Sequence, residues 1–372
     1  MSHTMNILML RRNVGLYGAD KVILLLAKQL KQMGHNPVVG VIDNKRNPCS
    51  LLLDKAKEMN LETAHFLSES RVDRRAIEEI KNYITGQNID IVHTHGFKAD
   101  IYGFLASRPN RIPIVATKHG WTHANLIIRL WEMVDLVFLH KFPSIVAVSD
   151  DMKNSLIRSG IYKKKIRTIH NGIDLDHNLY DNKALRAKLN LKEKQPVIGI
   201  VARLSSEKGH THFLAAARKI ADKFPDARFL IIGDGSLREN LEELSSNLAL
   251  DQQVQFLGFR SDMPELYQVM DILVSSSLRE GIPMNLLEAM AEQKAVIATK
   301  VGGVPQIIKN GISGILIDPE NVDMLAEAIL DLLKNDEKRF ALGKAARLEV
   351  EAHFSSLVMS RQYMQVYQQL IK

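Results

Sequence analysis

Glu280 and Glu288 stand eight positions apart in "LREGIPMNLLEAM", on either side of a Gly-Ile-Pro turn. The preceding "DILVSSS" is an apolar, partly β-branched run that predicts a buried strand, and "PMNLLEAMAEQ" predicts a helix with Pro283 in its first turn. Two carboxylates at a strand-to-helix junction can face one crevice at the carboxyl end of a sheet, where open α/β folds bind ligands. A second loop, in "IGIVARLSSEKGH", puts Arg203 just past a strand and Lys208 five residues on. Arg offers a planar fork to phosphate oxygens and Lys a point charge, a pair suited to a diphosphate. A surface loop with two ordinary basic residues is the plain alternative.

Near the start, "NVGLYGADKVILLLAKQL" is a glycine-containing turn from a strand into a helix, where N–H groups and the helix dipole suit a phosphate. Its glycines at 15 and 18 make no G-x-G-x-x-G, and the chain holds no P-loop; an ordinary tight turn would read the same way. His119, closing the strand of "IVATKHG", can bond a substrate hydroxyl or serve as a satisfied structural histidine. His93 and His95 in "IVHTHGF" offer a two-histidine metal pair, but no carboxylate cluster lies nearby in sequence, and no metal is expected.

These residues need a scaffold, and the chain supplies strand and helix in alternation. In the first half "NILMLR", "NPVVGVID", "IDIVHTHG", "IPIVATKHG", "SIVAVS" and "IRTIHNGID" are short Val- and Ile-rich runs between helical patterns. After the polar stretch "DLDHNLYDNKALRAKLNLKEKQ" the pattern restarts with "PVIGIVARL", "RFLIIGDG", "VQFLGF", "DILVSSS", "AVIATKVGG" and "GILIDP". That predicts an α/β chain of two doubly wound, Rossmann-like domains facing a cleft, with the first spanning 1–175 and the second 176–354. The final "SSLVMSRQYMQVYQQLIK" predicts a helix over 355–372, free to cross back to the first domain. No repeat and no low-complexity segment interrupts this order.

Composition sets the outer limits. With 46% hydrophobic and 24% charged residues over 372 positions, the chain is an ordinary globular one with no uncharged apolar run long enough to span a bilayer. The opening "MSHTMNILML" is a polar stub leading into a strand, without a signal-peptide layout, and a cytoplasmic location is expected. The lone Cys49 excludes an intramolecular disulfide framework and any multi-cysteine zinc site. The formal charge of +7 is uneven: residues 1–172 hold 25 Lys and Arg against 15 Asp and Glu, and residues 173–372 hold 24 against 27. A basic first half reads either as a solvated surface or as a face for an acidic partner.

Taken together these segments resemble the retaining glycosyltransferases of family 4, which have the GT-B fold and an E-x7-E motif, here Glu280 and Glu288. The resemblance covers nearly the whole chain in order, through "GLYGADKVILLLAKQLKQMGH", "IDIVHTHG", "TKHG", "IVAVSDDMKNSLIRSG", "VARLSSEKGH", "FLIIGDG", "REGIPMNLLEAMA" and "IATKVGGVPQII". It implies that Glu280 bonds donor-sugar hydroxyls and Glu288 the ribose hydroxyls, as acceptor-only groups that grip vicinal diols. It implies a donor cradle of N–H groups over Gly281, Ile282, Pro283, Met284 and Asn285, a diphosphate clamp of Arg203 and Lys208, a diphosphate-facing amide at Gly18, and His119 beside the donor sugar. The family commonly has Gly-Gly-Ala-Glu where this chain has "GLYGAD", so Tyr17 replaces a glycine and either changes the loop's approach to phosphate or shapes the acceptor pocket.

The expected reaction moves a hexose from a nucleoside-diphosphate sugar, UDP-hexose first and GDP-mannose second, to an acceptor hydroxyl. It needs no metal or other cofactor. The resemblance implies a front-face path rather than a carboxylate nucleophile of the kind retaining glycosidases place about 5 Å from their acid/base. An epimerase or hydrolase of the same fold, or a silent nucleotide-sugar binder, are the alternatives. The basic first half predicts a glycan or lipid-linked acceptor and peripheral contact with an acidic inner membrane face, with Arg11, Arg12, Lys118 and the run Lys163–Lys165 as contacts and no nucleic-acid partner.

Overall fold

A computed structural model describes residues 4–12, 18–45, 48, 51–70, 72–120, 126–175 and 182–371, the side chains of 126–128 excepted. Gly15, Tyr17, Cys49 and part of the expected domain boundary lie outside the described residues. The chain divides into two compact units, Met1–Asp174 with Ser356–Lys372, and Leu175–Ser355.

The first unit runs β1 (Asn6–Arg12), α1 (Gly18–Gln32), β2 (Asn36–Asn44), α2 (Leu51–Glu58), β3 (Glu62–Ser68), α3 (Arg74–Gly86), β4 (Ile91–His95), α4 (Phe97–Ser107), β5 (Ile114–Lys118), α5 (Leu126–Leu139), β6 (Ser144–Ala147), α6 (Asp150–Arg158) and β7 (Ile166–Thr168). The second runs α7 (Asn182–Lys188), β8 (Val197–Val201), α8 (His210–Ala221), β9 (Arg228–Ile232), α9 (Arg238–Asn247), β10 (Val254–Gly258), α10 (Met263–Val269), β11 (Ile272–Ser275), α11 (Met284–Ala291), β12 (Ala295–Thr299), α12 (Val304–Ile307), β13 (Ile315–Ile317), α13 (Val322–Lys334) and α14 (Asp336–His353). Helix α15 (Ser356–Ile371) belongs to the first unit.

Both sheets are parallel throughout, in the orders β3-β2-β1-β4-β5-β6-β7 and β10-β9-β8-β11-β12-β13. Helices on both faces bury these strands on both sides, which is why they read as unbroken apolar runs. Edge strands are less buried: β10 and β13 are mostly half-buried, and β3, whose "ETAHFLS" alternates exposed and buried residues, does not read as an apolar run at all. In the second unit Ile198, Ile200, Phe229 and Ile231 meet Phe213, Leu214 and Ala217 of α8 and Ile329 and Leu332 of α13. In the first, Leu8, Leu10 and Val92 pack with Ile80, Tyr102, Phe104 and Phe142.

Strand order reverses between β1 and β4 in one sheet and between β8 and β11 in the other. In open α/β sheets the crevice at the carboxyl ends of such a strand pair is where ligands bind. Arg11, Arg12, Gly18 and His95 cluster at the first switch point, and Arg203, Lys208 and Glu280 at the second.

Candidate functional site

In the second unit three loops are laced together. The loop after β8 carries Arg203 and Lys208; Gly209 ends it at φ +66°, where a Cβ would lie 2.0 Å from the Ser276 carbonyl oxygen. The Ser276 hydroxyl donates to the Gly209 carbonyl at 2.9 Å, and the Leu278 N–H to the Glu207 carbonyl at 2.8 Å. This fixes the β8 loop against the β11 loop, and Lys208 Nζ meets Glu280 Oε1 at 2.7 Å. The Ser277 hydroxyl donates to the same oxygen at 2.7 Å. Behind Glu280 the loop after β12 supplies Gly302, whose φ of +50° and missing Cβ, 1.8 Å from the Glu280 carbonyl oxygen, leave room for no other residue. Gly303 N–H then donates to the Gly281 carbonyl at 3.0 Å.

Arg203 is 59% exposed and pairs with Glu207, four residues on, at 2.6 Å. Partial burial of Glu207 opposes the trend, yet hydrogen bonds from Arg203, its own backbone and Ser205 lower its carboxyl to about 2. Both expected clamp cations thus hold a carboxylate at rest.

The cradle needs one correction of chemistry. Pro283 lies at the N-cap of α11, just ahead of the helix rather than in its first turn, and having no N–H it shapes the turn and donates nothing. Ile282, Pro283 and Met284 bury their side chains, and only backbone remains for a ligand there. The Asn285 side chain is used within the scaffold: its amide donates to the Val201 carbonyl at 2.6 Å and its oxygen accepts from Leu286 N–H at 2.9 Å, tying α11 to the end of β8. Glu288, on α11, accepts from the Tyr267 hydroxyl of α10 at 2.7 Å. Burial and then the Glu288 charge raise the Tyr267 phenol well above its ordinary range, so it stays a donor. Tyr267 and Ser277 are two site residues that sequence reasoning did not reach.

In the first unit Gly18 opens α1, and Asp20, two residues on, receives Arg11 Nε at 2.9 Å. Arg11 also donates to the His95 carbonyl at 3.1 Å, so this expected acceptor contact is committed inside the fold. Arg12 is exposed and stands 5.9 Å over the Phe97 ring. His95 Nδ1 and His119 Nε2 lie 3.1 Å apart, and His95 Nε2 and His119 Nδ1 are buried with no partner among the described residues. Burial foremost, then neighbouring charges that include Arg11, hold both rings well below the ordinary histidine range, so both are neutral near pH 7. His93 uses both ring nitrogens, one on Thr117 Oγ1 and one on the Tyr367 hydroxyl, each at 2.7 Å, while Tyr363 also bonds Thr117. These bonds occupy both His93 nitrogens.

Lys118 is corrected outright. It is 4% exposed, not a surface cation, and its ammonium joins Asp100 of α4 and Asp135 of α5. Burial disfavours that charge, but the two carboxylates hold it protonated. Burial and the Asp135 charge push the Asp100 carboxyl up to about 8.

Residues 17–177 match the family described as Glycosyltransferase Family 4, and residues 181–349 that described as Glycosyl transferases group 1. Among curated proteins the chain is similar to the UDP-Gal:alpha-D-GlcNAc-diphosphoundecaprenol alpha-1,3-galactosyltransferase of Escherichia coli, 28% identical over 69% of this chain and 70% of that one. A glycosyltransferase structure from Rickettsia africae matches 100% of both chains at 26% identity and a TM-score of 0.85. Anabaena HepE, solved with UDP, matches 98% of this chain and all of its own at 22% identity and a TM-score of 0.86.

Proposed function

Because the chain belongs to the family 4 glycosyltransferases and is a transferase of GT-B fold, we propose that it moves a hexose, with retention, from a nucleoside-diphosphate sugar to the hydroxyl of a glycan or lipid-linked acceptor. UDP-hexose is the first choice of donor, in line with the UDP-Gal in the name of the Escherichia coli relative, and GDP-mannose the second. The observation that carries the reading is the Lys208–Glu280 pair at the switch point of the second sheet, built on three mutually braced loops.

At rest Lys208 and Arg203 neutralise Glu280 and Glu207. A donor diphosphate exchanges with those carboxylates for the two cations, which frees Glu280 to accept from sugar hydroxyls while Glu288, oriented by Tyr267, accepts from the ribose. The C1–O bond to the β-phosphate breaks as an oxocarbenium-like centre forms. The acceptor oxygen bonds C1 on the same face and passes its proton to a phosphate oxygen of the leaving diphosphate. Arg203 and Lys208 stabilise the growing charge, a role in which loss of one donor typically costs about 10² to 10³ in rate. With that charge supplied by side chains, no metal is required in this reading. Once Lys208 has moved to the diphosphate, Glu280 keeps the Ser277 hydroxyl and takes the sugar hydroxyls, and in this reading it acts as a hydrogen-bond acceptor rather than as a nucleophile.

The acceptor is assigned to the first unit on its charge, and peripheral contact with an acidic membrane face follows from the same surplus. No helix among the described residues is long and apolar enough to cross a membrane. A thermal-shift screen of nucleotides and nucleotide sugars tests the donor, since a ligand at about 100 times its Kd adds about 2.7 kcal/mol to stability. Release of UDP only when an acceptor is supplied separates a transferase from a hydrolase or a silent binder.

A further inference from the structure

Helix α5 buries both of its acids and carries apolar side chains on its outer face as well as its inner one. Its two acids, Glu132 and Asp135, are 7% and 0% exposed, whereas Leu130, Met133 and Val137 are 55%, 57% and 60% exposed. The three apolar residues recur at i, i+3 and i+7, so they form one ridge along the helix. Single exposed apolar residues are ordinary on any surface, but an aligned ridge opposite buried carboxylates is not.

The helix is pinned in that orientation. Asp135 holds the buried Lys118 ammonium, and Trp131, Val134 and Phe138 pack on the core, with the Phe138 ring 5.5 Å from Phe104. Rotating α5 to hide the ridge would take Asp135 from Lys118 and leave a buried charge short of a partner, which is strongly unfavourable. Packing and electrostatics therefore hold the apolar ridge outward.

Cations flank it. Arg129 and Lys141, at the two ends of the helix, are exposed, and Lys165 Nζ donates to the carbonyl of His140 at 2.8 Å, which places the Lys163–Lys165 turn beside the helix end. From 129 to 141 the only acids are the two that are buried. An apolar ridge bordered by Lys and Arg and free of outward acids complements an anionic bilayer interface.

We propose that α5 seats the protein on an acidic lipid surface, with Leu130, Met133 and Val137 entering the acyl boundary and Arg129, Lys141 and Lys165 meeting lipid phosphates. This deepens the membrane reading above and rests on it for its purpose, though not for its test. The full chain is sedimented with phosphatidylcholine vesicles and with vesicles containing about 30% phosphatidylglycerol, at about 50 and 300 mM salt. The expected result is binding to acidic vesicles that falls by about tenfold or more in Leu130→Ser/Met133→Ser/Val137→Ser, and that is lost at low salt in Arg129→Glu/Lys141→Glu. All these positions are exposed, so thermal midpoints and the UDP-induced shift should match wild type in both variants. Equal binding of the triple variant, equal or no binding of wild type to the two vesicle types, or a wild-type dimer that the triple variant dissolves would overturn the seat. An absent UDP shift in wild type would count against the nucleotide-sugar reading, and the vesicle results would still decide α5.

Discussion

Replacing Glu280 by Gln should tighten the binding of free UDP, a gain produced by damaging the site. Lys208 Nζ and Glu280 Oε1 are 2.7 Å apart, with side chains 22% and 9% exposed, so the pair is partly desolvated. Residues in such contact couple by about 0.5 to 3 kcal/mol, and the partial exposure places this pair at about 1 to 2 kcal/mol. Gln keeps an oxygen for the Ser277 hydroxyl and removes only the charge that competes with phosphate for Lys208. Titration calorimetry should therefore show UDP bound about fivefold to thirtyfold more tightly by Glu280→Gln, that being the factor for 1 to 2 kcal/mol. In a Lys208→Met background the same change should do nothing. Chemical denaturation of the four proteins should give the same coupling as non-additive stability. UDP affinity unchanged or weakened in Glu280→Gln, tightening that survives Lys208→Met, or additivity within about 0.3 kcal/mol would refute the exchange.

Arg203→Ala should lower kcat by about 10² to 10³ while changing stability by no more than about 1 kcal/mol, because Arg203 is itself exposed and its resting partner is a half-buried i,i+4 neighbour; near-normal turnover would remove Arg203 from the mechanism. Tyr267→Phe keeps a buried ring and deletes one donor to a charged Glu288, so UDP and UDP-sugar affinities should fall together by about tenfold, and a loss confined to the sugar-bearing ligand would contradict the ribose role. Acid should destabilise the fold early. His93 has its folded-state pKa lowered to about 3 by burial, with His95 and His119 also lowered, so the stability they contribute is present above the ordinary value of 6.5 and is lost as pH falls below it; Asp100, raised to about 8, pulls the other way. Three groups outweigh one, and urea midpoints should fall between pH 6.5 and 5; flat midpoints would show that these histidines do not titrate on unfolding.

The parallel sheets were legible because strands buried on both faces write themselves as Val- and Ile-rich runs, and the two switch points then follow from strand order alone. Edge strand β3 was not, since its alternating polar residues resemble a loop. Arg203, Lys208 and Glu280 could be picked out by type and position, but the Lys208–Glu280 pair spans 72 residues and depends on glycines at 209 and 302 that let three loops touch. Lys118 was misread because a lysine at a strand end is ordinarily solvated; the partners that bury it, Asp100 and Asp135, belong to helices on either side of its strand and carry no local mark. The sequence of α5, apolar along most of its length, does not say which stripe faces in, and the ammonium beneath it decides that.

Helix α15 gives the order of synthesis a physical consequence. The ribosome makes all of Leu175–Ser355, about 180 residues, between finishing the last strand of the first unit and starting the helix that completes it. At about 5 to 20 residues per second that is an interval of about 9 to 36 s. During it His93 and Thr117 wait without the hydroxyls of Tyr367 and Tyr363 that will satisfy them. The nascent first half therefore carries unmatched polar groups on its strands while the second half folds, and it becomes a finished unit only when the last 16 helical residues, Ser356–Ile371, emerge.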